Sequence, residues 1–249
     1  MRIALAIEYD GRPFHGWQSQ ADGSGVQDML ERALSSIAGA PVRAVAAGRT
    51  DAGVHALAQV ASFQTESLIP ACNLVVALND LLPRSIRVLE ATESTTDFHA
   101  RKSACGKTYR YRIHRGSICP PFLARYVWHY PYPLDEELIR RCAGVVAGTH
   151  DFTSFAAVDA EHGRAIEERS AVRTIFSSDW QRCGDEFVYY VRGNGFLHHM
   201  VRNLVGTFLL VGKGTLQPED VSRILQARDR SAAGATVPAS GLYLVAVEY

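Results

Sequence analysis

No apolar run in the 249-residue chain approaches the roughly 18 residues that a membrane span requires. The five cysteines, Cys72, Cys105, Cys119, Cys142 and Cys183, are an odd number, widely spaced and without a CxxC. That excludes a disulfide framework and a zinc knuckle, and it points to a reducing cytoplasm. HExxH and P-loop signatures are missing too, along with the chemistries they serve. Neither charge sign is in excess: 26 basic and 26 acidic residues give a net charge of zero, which argues against indiscriminate nucleic-acid binding. The opening "MRIALAIEYDGRPF" has one basic residue ahead of a short alternating stretch, the pattern of a first strand rather than a signal peptide.

The composition, 47% hydrophobic and 21% charged, is that of a globular protein with a real core. At about 150 residues per domain, the length suggests one large domain or two modest ones. The charges are unevenly placed. From Phe98 to Leu134 there is no acidic residue, yet Arg101, Lys102, Lys107, Arg110, Arg112, Arg115 and Arg125 all fall inside. Within that stretch "KTYRYRIHR", residues 107–115, alternates cations with rings, which suits single-stranded or looped RNA. Acids gather elsewhere, as in "DAEHGRAIEER" at 159–169.

Periodicity predicts a strand at 2–9 and a helix at 25–38 with an apolar stripe at Val26, Met29, Leu30, Ala33, Leu34 and Ile37. Strands near 42–47 and 54–64, a helix near 71–81 and a strand near 85–93 complete a first half. The second half has strands near 105–114 and 124–130, then a helix at 135–147 opened by Asp135. Strands near 170–180 and 186–193, helices at 196–211 and 219–227, and a last strand at 242–249 follow. Hairpin-connected strands with helices gathered to one side make the fold class α+β.

Three stretches carry chemistry. In "GRTDAGVHA", residues 48–56, Arg49, Thr50 and Asp51 stand between glycines at the mouth of a strand fit for burial. Asp in such a turn can simply bond backbone amides. As an anion held by Arg49 it can also act as nucleophile or base. A metal role lacks further ligands, since His55 stands without a second carboxylate or a histidine cluster. In "FLHHMVRNLVGTFLLVG", 196–212, a helical wheel puts Leu197, Met200, Val201, Leu204 and Phe208 on one face. Arg202 faces the other way, and Gly206 one turn on leaves room for another backbone or a ligand. Arg202 could equally make a surface ion pair, and His198 with His199 could pack or touch RNA. Tyr109 and Tyr111 share one face of a strand, either as core aromatics or as a platform for a base.

Together "GRTDAGVHA", "KTYRYRI" (107–113) and "FLHHMVRNLVG" (196–206) resemble the TruA-type tRNA pseudouridine synthases. "YDGRPFHGWQSQ" (9–20), "HDFTSF" (150–155), "VRTI" (172–175) and "ASGLYLVAVEY" (239–249) match the same family, so the resemblance spans nearly the entire chain in order. It implies two ferredoxin-like halves, 1–100 and 101–249, that share a continuous sheet. It implies isomerisation of uridine to pseudouridine in the anticodon stem–loop, at tRNA positions 38, 39 and 40, by a cytoplasmic homodimer needing no metal, nucleotide or redox cofactor. Asp51 aligns with the catalytic aspartate, which attacks C1′ or C6 or abstracts a ribose proton. Tyr109 aligns with the substrate-contacting tyrosine, Arg202 with an arginine that pairs with the carboxylate, and Arg49 with a residue filling the space of the flipped base. Rival readings are a synthase with another RNA target and a non-catalytic RNA-binding module. The loop 157–169 is longer and more acidic than the resemblance leads one to expect.

Overall fold

A computed structural model describes residues 1–66, 69–157 and 170–249. The acidic loop expected at 157–169 lies, from residue 158 on, outside the described residues. The chain forms two compact units, Met1–Cys105 with Tyr243–Tyr249, and Gly106–Leu242. Both combine mostly antiparallel strands with helices, the α+β class expected from the sequence.

In the first unit strand β1 (Arg2–Tyr9) alternates as its sequence demands, with Ile3, Leu5, Ile7 and Tyr9 all buried. It pairs antiparallel with β3 (His55–Gln64) and with β4 (Ile86–Ser94). The short β2 (Val45–Ala46) lies antiparallel to β3. On the far side of β3 the last strand, β10 (Leu242–Glu248), pairs in parallel through Tyr243 and Leu244. Helices α1 (Val26–Ala38) and α2 (Ala71–Leu81) supply Leu30, Leu34, Leu74 and Leu78 to the core. A small apolar space lined by Ile3, Leu34, Phe63 and Leu74 marks where they meet the sheet. α1 opens on Asp28, whose Oδ2 accepts from the Gly25 amide at 2.9 Å, and stops at Gly39, held at φ 67°. Glycine suits that left-handed stop because it has no Cβ to clash.

The second unit orders its strands β5 (Gly106–His114), β9 (Glu186–Gly193), β8 (Val172–Cys183) and β7 (Gly148–Asp151), all antiparallel. The two-residue β6 (Trp128–His129) pairs in parallel with β5. Its core is aromatic: Trp180 stacks on Phe187 at 4.4 Å, and Tyr189 meets Phe208 edge-on at 5.4 Å. Helices α3 (Glu136–Ala143), α4 (Met200–Gly212) and α5 (Asp220–Ala227) complete it. Asp135 caps α3 as expected, its Oδ1 accepting from the Leu138 amide at 3.0 Å.

Several elements depart from the expected bounds: the strand near 42–47 is reduced to β2, and that near 170–180 runs on to Cys183. The strand near 124–130 shrinks to β6, because Pro120 and Pro121 lead into turns that run to Tyr126. The helix expected over 135–147 ends at Ala143 and continues as one 3-10 turn from Gly144. α4 starts at Met200 rather than 196, since His199 takes a left-handed φ of 58° that breaks the helical run. β7 was not expected at all: its "GTHD" is polar and half-exposed, with no apolar alternation to reveal it.

Candidate active site

The loop from Gly48 to Val54 is cast against the stretch that follows β1. Thr50 is 6% exposed, and its Oγ1 lies 2.8 Å from the Tyr9 hydroxyl. Its carbonyl accepts from the Trp17 amide at 3.0 Å. Gln59, fully buried on β3, donates through Nε2 to the Gly48 carbonyl at 2.8 Å. At the loop's far end the Val54 amide bonds back to the Asp51 carbonyl at 3.1 Å. Two glycines allow this close approach: a Cβ on Gly11 would sit 2.0 Å from the Val54 carbonyl oxygen, and one on Gly16 (φ 88°) would sit 2.6 Å from that of Thr50. Backbone in such contact excludes any side chain.

The loop thus holds Thr50 inward, Asp51 half-buried and Arg49 exposed. Beneath it, the His55 ring stacks on Tyr243 at 4.7 Å, and its Nδ1 lies 3.2 Å from the Gly11 amide. Asp10, 3.3 Å from the same nitrogen, is pushed up by burial. Its bonds to Arg12 and the charges of Arg12 and His55 outweigh that and hold its carboxyl below the ordinary value.

In the second unit Tyr109 and Tyr111 lie on the buried face of β5, with Arg110 and Arg112 on the more open face, as alternation predicts. The Tyr109 ring meets Phe196 edge-on at 5.0 Å. Tyr111 donates its hydroxyl to the Pro238 carbonyl at 2.7 Å. Burial drives the Tyr111 pKa up, and the nearby positive charge of Arg202 opposes it.

Arg202 occupies the first turn of α4, half-buried, and its Nε donates to the Val237 carbonyl at 2.7 Å. Among its partners is therefore a backbone carbonyl, which is not the environment of a plain surface ion pair. The room expected beside Gly206 is taken by backbone: a Cβ there would stand 2.0 Å from the Ala235 carbonyl oxygen. Asn203, fully buried, fixes the same segment by accepting from Thr236 at 2.6 Å and from Arg230 at 3.0 Å. Arg49 and Asp51 thus belong to one unit, Tyr109 and Arg202 to the other. Sequence reasoning missed the roles of Tyr9, Trp17 and Gln59. Tyr9 and Trp17 lie in the stretch "YDGRPFHGWQSQ", matched to a family but assigned no task, and Gln59 had no signal beyond its place in a strand fit for burial.

The pattern of the family described as tRNA pseudouridine synthase matches residues 5–101 and 143–249. The chain belongs to this family. Arg49, Asp51 and Arg202 fall within the matched blocks, and Tyr109 falls between them. Relatives named tRNA pseudouridine synthase A are similar along the whole length. The one from Solibacter usitatus (strain Ellin6076) is 51% identical over 248 residues, covering 100% of this chain and 99% of its own. That from Halalkalibacterium halodurans is 46% identical, covering 97% of this chain and 90% of its own. That from Aliivibrio fischeri (strain MJ11) is 43% identical, covering 100% and 93%. Membership makes the protein a pseudouridine synthase, in line with the resemblance seen in its motifs.

Proposed function

We propose that this protein converts uridine to pseudouridine in the tRNA anticodon stem–loop, at positions 38, 39 and 40, with Asp51 as the reacting group. The observation that carries the reading is the loop around Asp51. Buried bonds hold the residue before it, Gly-only contacts hold the backbone, and full-length relatives carry the tRNA synthase name. A side chain presented by so restrained a turn suits chemistry that depends on placement.

The reaction breaks the N1–C1′ bond, forms C5–C1′, and exchanges a proton from C5 for one on N1. It is neither an oxidation nor a reduction. The Asp51 carboxylate supplies the anion needed to detach the base. Tyr109 offers a ring face to the extruded uracil, where stacking contributes about 1–3 kcal/mol per base. Arg202 supplies a cation to the reacting group, and Arg49 contacts the RNA from its exposed position on the loop. Within the acid-free stretch 98–134, Arg112 and Arg115 pair with Glu186 and Glu136 and Lys107 is buried, so the exposed Arg101, Lys102 and Arg125 are its cations for RNA. Among the described residues no helix is long and apolar enough to cross a membrane. We place the enzyme in the cytoplasm as a homodimer, which light scattering on the purified protein tests directly.

Incubation with an unmodified tRNA transcript, followed by site-by-site mapping of pseudouridine, tests the function. Modification at positions 38–40 is expected. Modification elsewhere would indicate another RNA target, and bound but unmodified tRNA would indicate a non-catalytic RNA-binding module.

A further inference from the structure

We infer that Tyr9 is a positioning residue for the isomerisation: its hydroxyl fixes Thr50 and so aims Asp51. The inference rests on the reading of Asp51 as the reacting group.

Tyr9 ends β1 just after an irregularity, where the register to β3 slips between Ile7 and Tyr9. The extra residue of that slip lies on β3, while β1 keeps its alternation through Ile7 to Tyr9, so the 3%-exposed tyrosine faces inward as Ile7 does. Its hydroxyl lies 2.8 Å from Thr50 Oγ1 and 3.4 Å from Gln59 Nε2. The Gln59 nitrogen can only donate, so the Tyr9 oxygen accepts from it, while in the bond to Thr50 either hydroxyl can be the donor. Gln59 also holds the Gly48 carbonyl, so one buried cluster grips the loop two residues apart.

The other half of the grip is backbone. Trp17, 6.2 Å from the Tyr9 ring, donates its amide to the Thr50 carbonyl. Thr50 is thereby held through both side chain and main chain, and Asp51 is its immediate neighbour. Any rotation of Thr50 displaces the Asp51 Cα, and displacements near 1 Å cost reaction rate steeply. Burial pushes the Tyr9 pKa up to about 12, with the Thr50 and Gln59 bonds opposing it, so the hydroxyl keeps its proton throughout the working range. With Tyr9 and Thr50 buried, neither hydroxyl has water as a ready replacement partner once the other is removed.

The test compares Tyr9→Phe, Thr50→Val, the double variant, Thr50→Ser and Asp51→Asn, using single-turnover rates and tRNA affinity well below each melting temperature. Tyr9→Phe and Thr50→Val are expected to lower the rate about tenfold, the scale of one misaligned contact, with affinity unchanged within about twofold. The double variant falls no further than the worse single one, because both remove the same bond. Thr50→Ser keeps the hydroxyl and recovers most of the rate. A purely structural Tyr9 would lower the melting temperature and leave the rate intact, and that result overturns the inference. Losses that add in the double variant would overturn it too. An active Asp51→Asn would instead remove the reading of Asp51 on which it stands.

Discussion

A Cβ on Gly206 would stand 2.0 Å from the carbonyl oxygen of Ala235, so helix α4 and the segment after α5 touch backbone to backbone. Gly234 repeats the contact from the other side, its own Cβ position lying 2.6 Å from the Gly206 carbonyl carbon. The same segment presents Val237 to Arg202 and Pro238 to Tyr111. Gly206→Ala must push these strands of chain apart. It is expected to destabilise the protein by about 2–3 kcal/mol, at the upper end for overpacking, in urea unfolding monitored by circular dichroism. A midpoint equal to that of the unmodified protein would show that the segment yields freely.

Tyr109 separates ring from hydroxyl. If its face carries the uracil, Tyr109→Phe retains most of the activity, whereas Tyr109→Leu loses about ten- to a hundredfold in kcat/KM, the worth of one stacked base. Equal losses in both variants would point to the hydroxyl as the contact.

The two arginines should differ in what they cost. Arg49 is exposed, so Arg49→Ala is expected to change stability by no more than about 0.5 kcal/mol. Its effect should appear in tRNA binding, with a shallower dependence on salt if it meets phosphate. Arg202→Ala removes the bond to the Val237 carbonyl and is expected to lower both turnover and stability, the latter by about 1 kcal/mol or more. Paired titrations and melts of the two variants check this contrast.

Asp28 supplies a pH signature. Burial pushes its carboxyl up, but the Ser19 hydroxyl at 2.5 Å, the Gln20 and Gly25 amides and the charge of Arg32 hold it below the ordinary value of 3.8. The folded protein therefore binds fewer protons at this site than the unfolded chain. Its contribution is complete above about pH 4 and is lost as the pH falls through the lowered value. Asp28→Asn should destabilise by about 1 kcal/mol at pH 7, the usual worth of a helix cap, and the gap to the parent should narrow below pH 4. Melting curves from pH 7 to pH 3 measure it.

Much of the fold is legible where burial enforces a period. β1 and α2 lie at the expected residues because Ile3, Leu5 and Ile7, or Leu74 and Leu78, repeat at strand or helix spacing. β7 escapes notice because an exposed, polar edge strand is held by backbone bonds to β8 rather than by apolar burial. The start of α4 shifts because a histidine adopts a left-handed backbone, a tertiary choice that no local propensity favours. The proposed site residues Arg49, Asp51, Tyr109 and Arg202 stand out as motifs, each explicable by its own chemistry. The support beneath them does not, since Tyr9 meets Thr50 across 41 residues, a separation that no local pattern bridges.

The most direct measurement is release of tritium from tRNA carrying 5-tritiated uridine, with the unmodified protein and Asp51→Asn assayed side by side. Carbon 5 must lose its hydrogen when it becomes the glycosidic atom. The account predicts release by the unmodified protein and none by Asp51→Asn, with both binding tRNA equally. Release by Asp51→Asn at a comparable rate would contradict it.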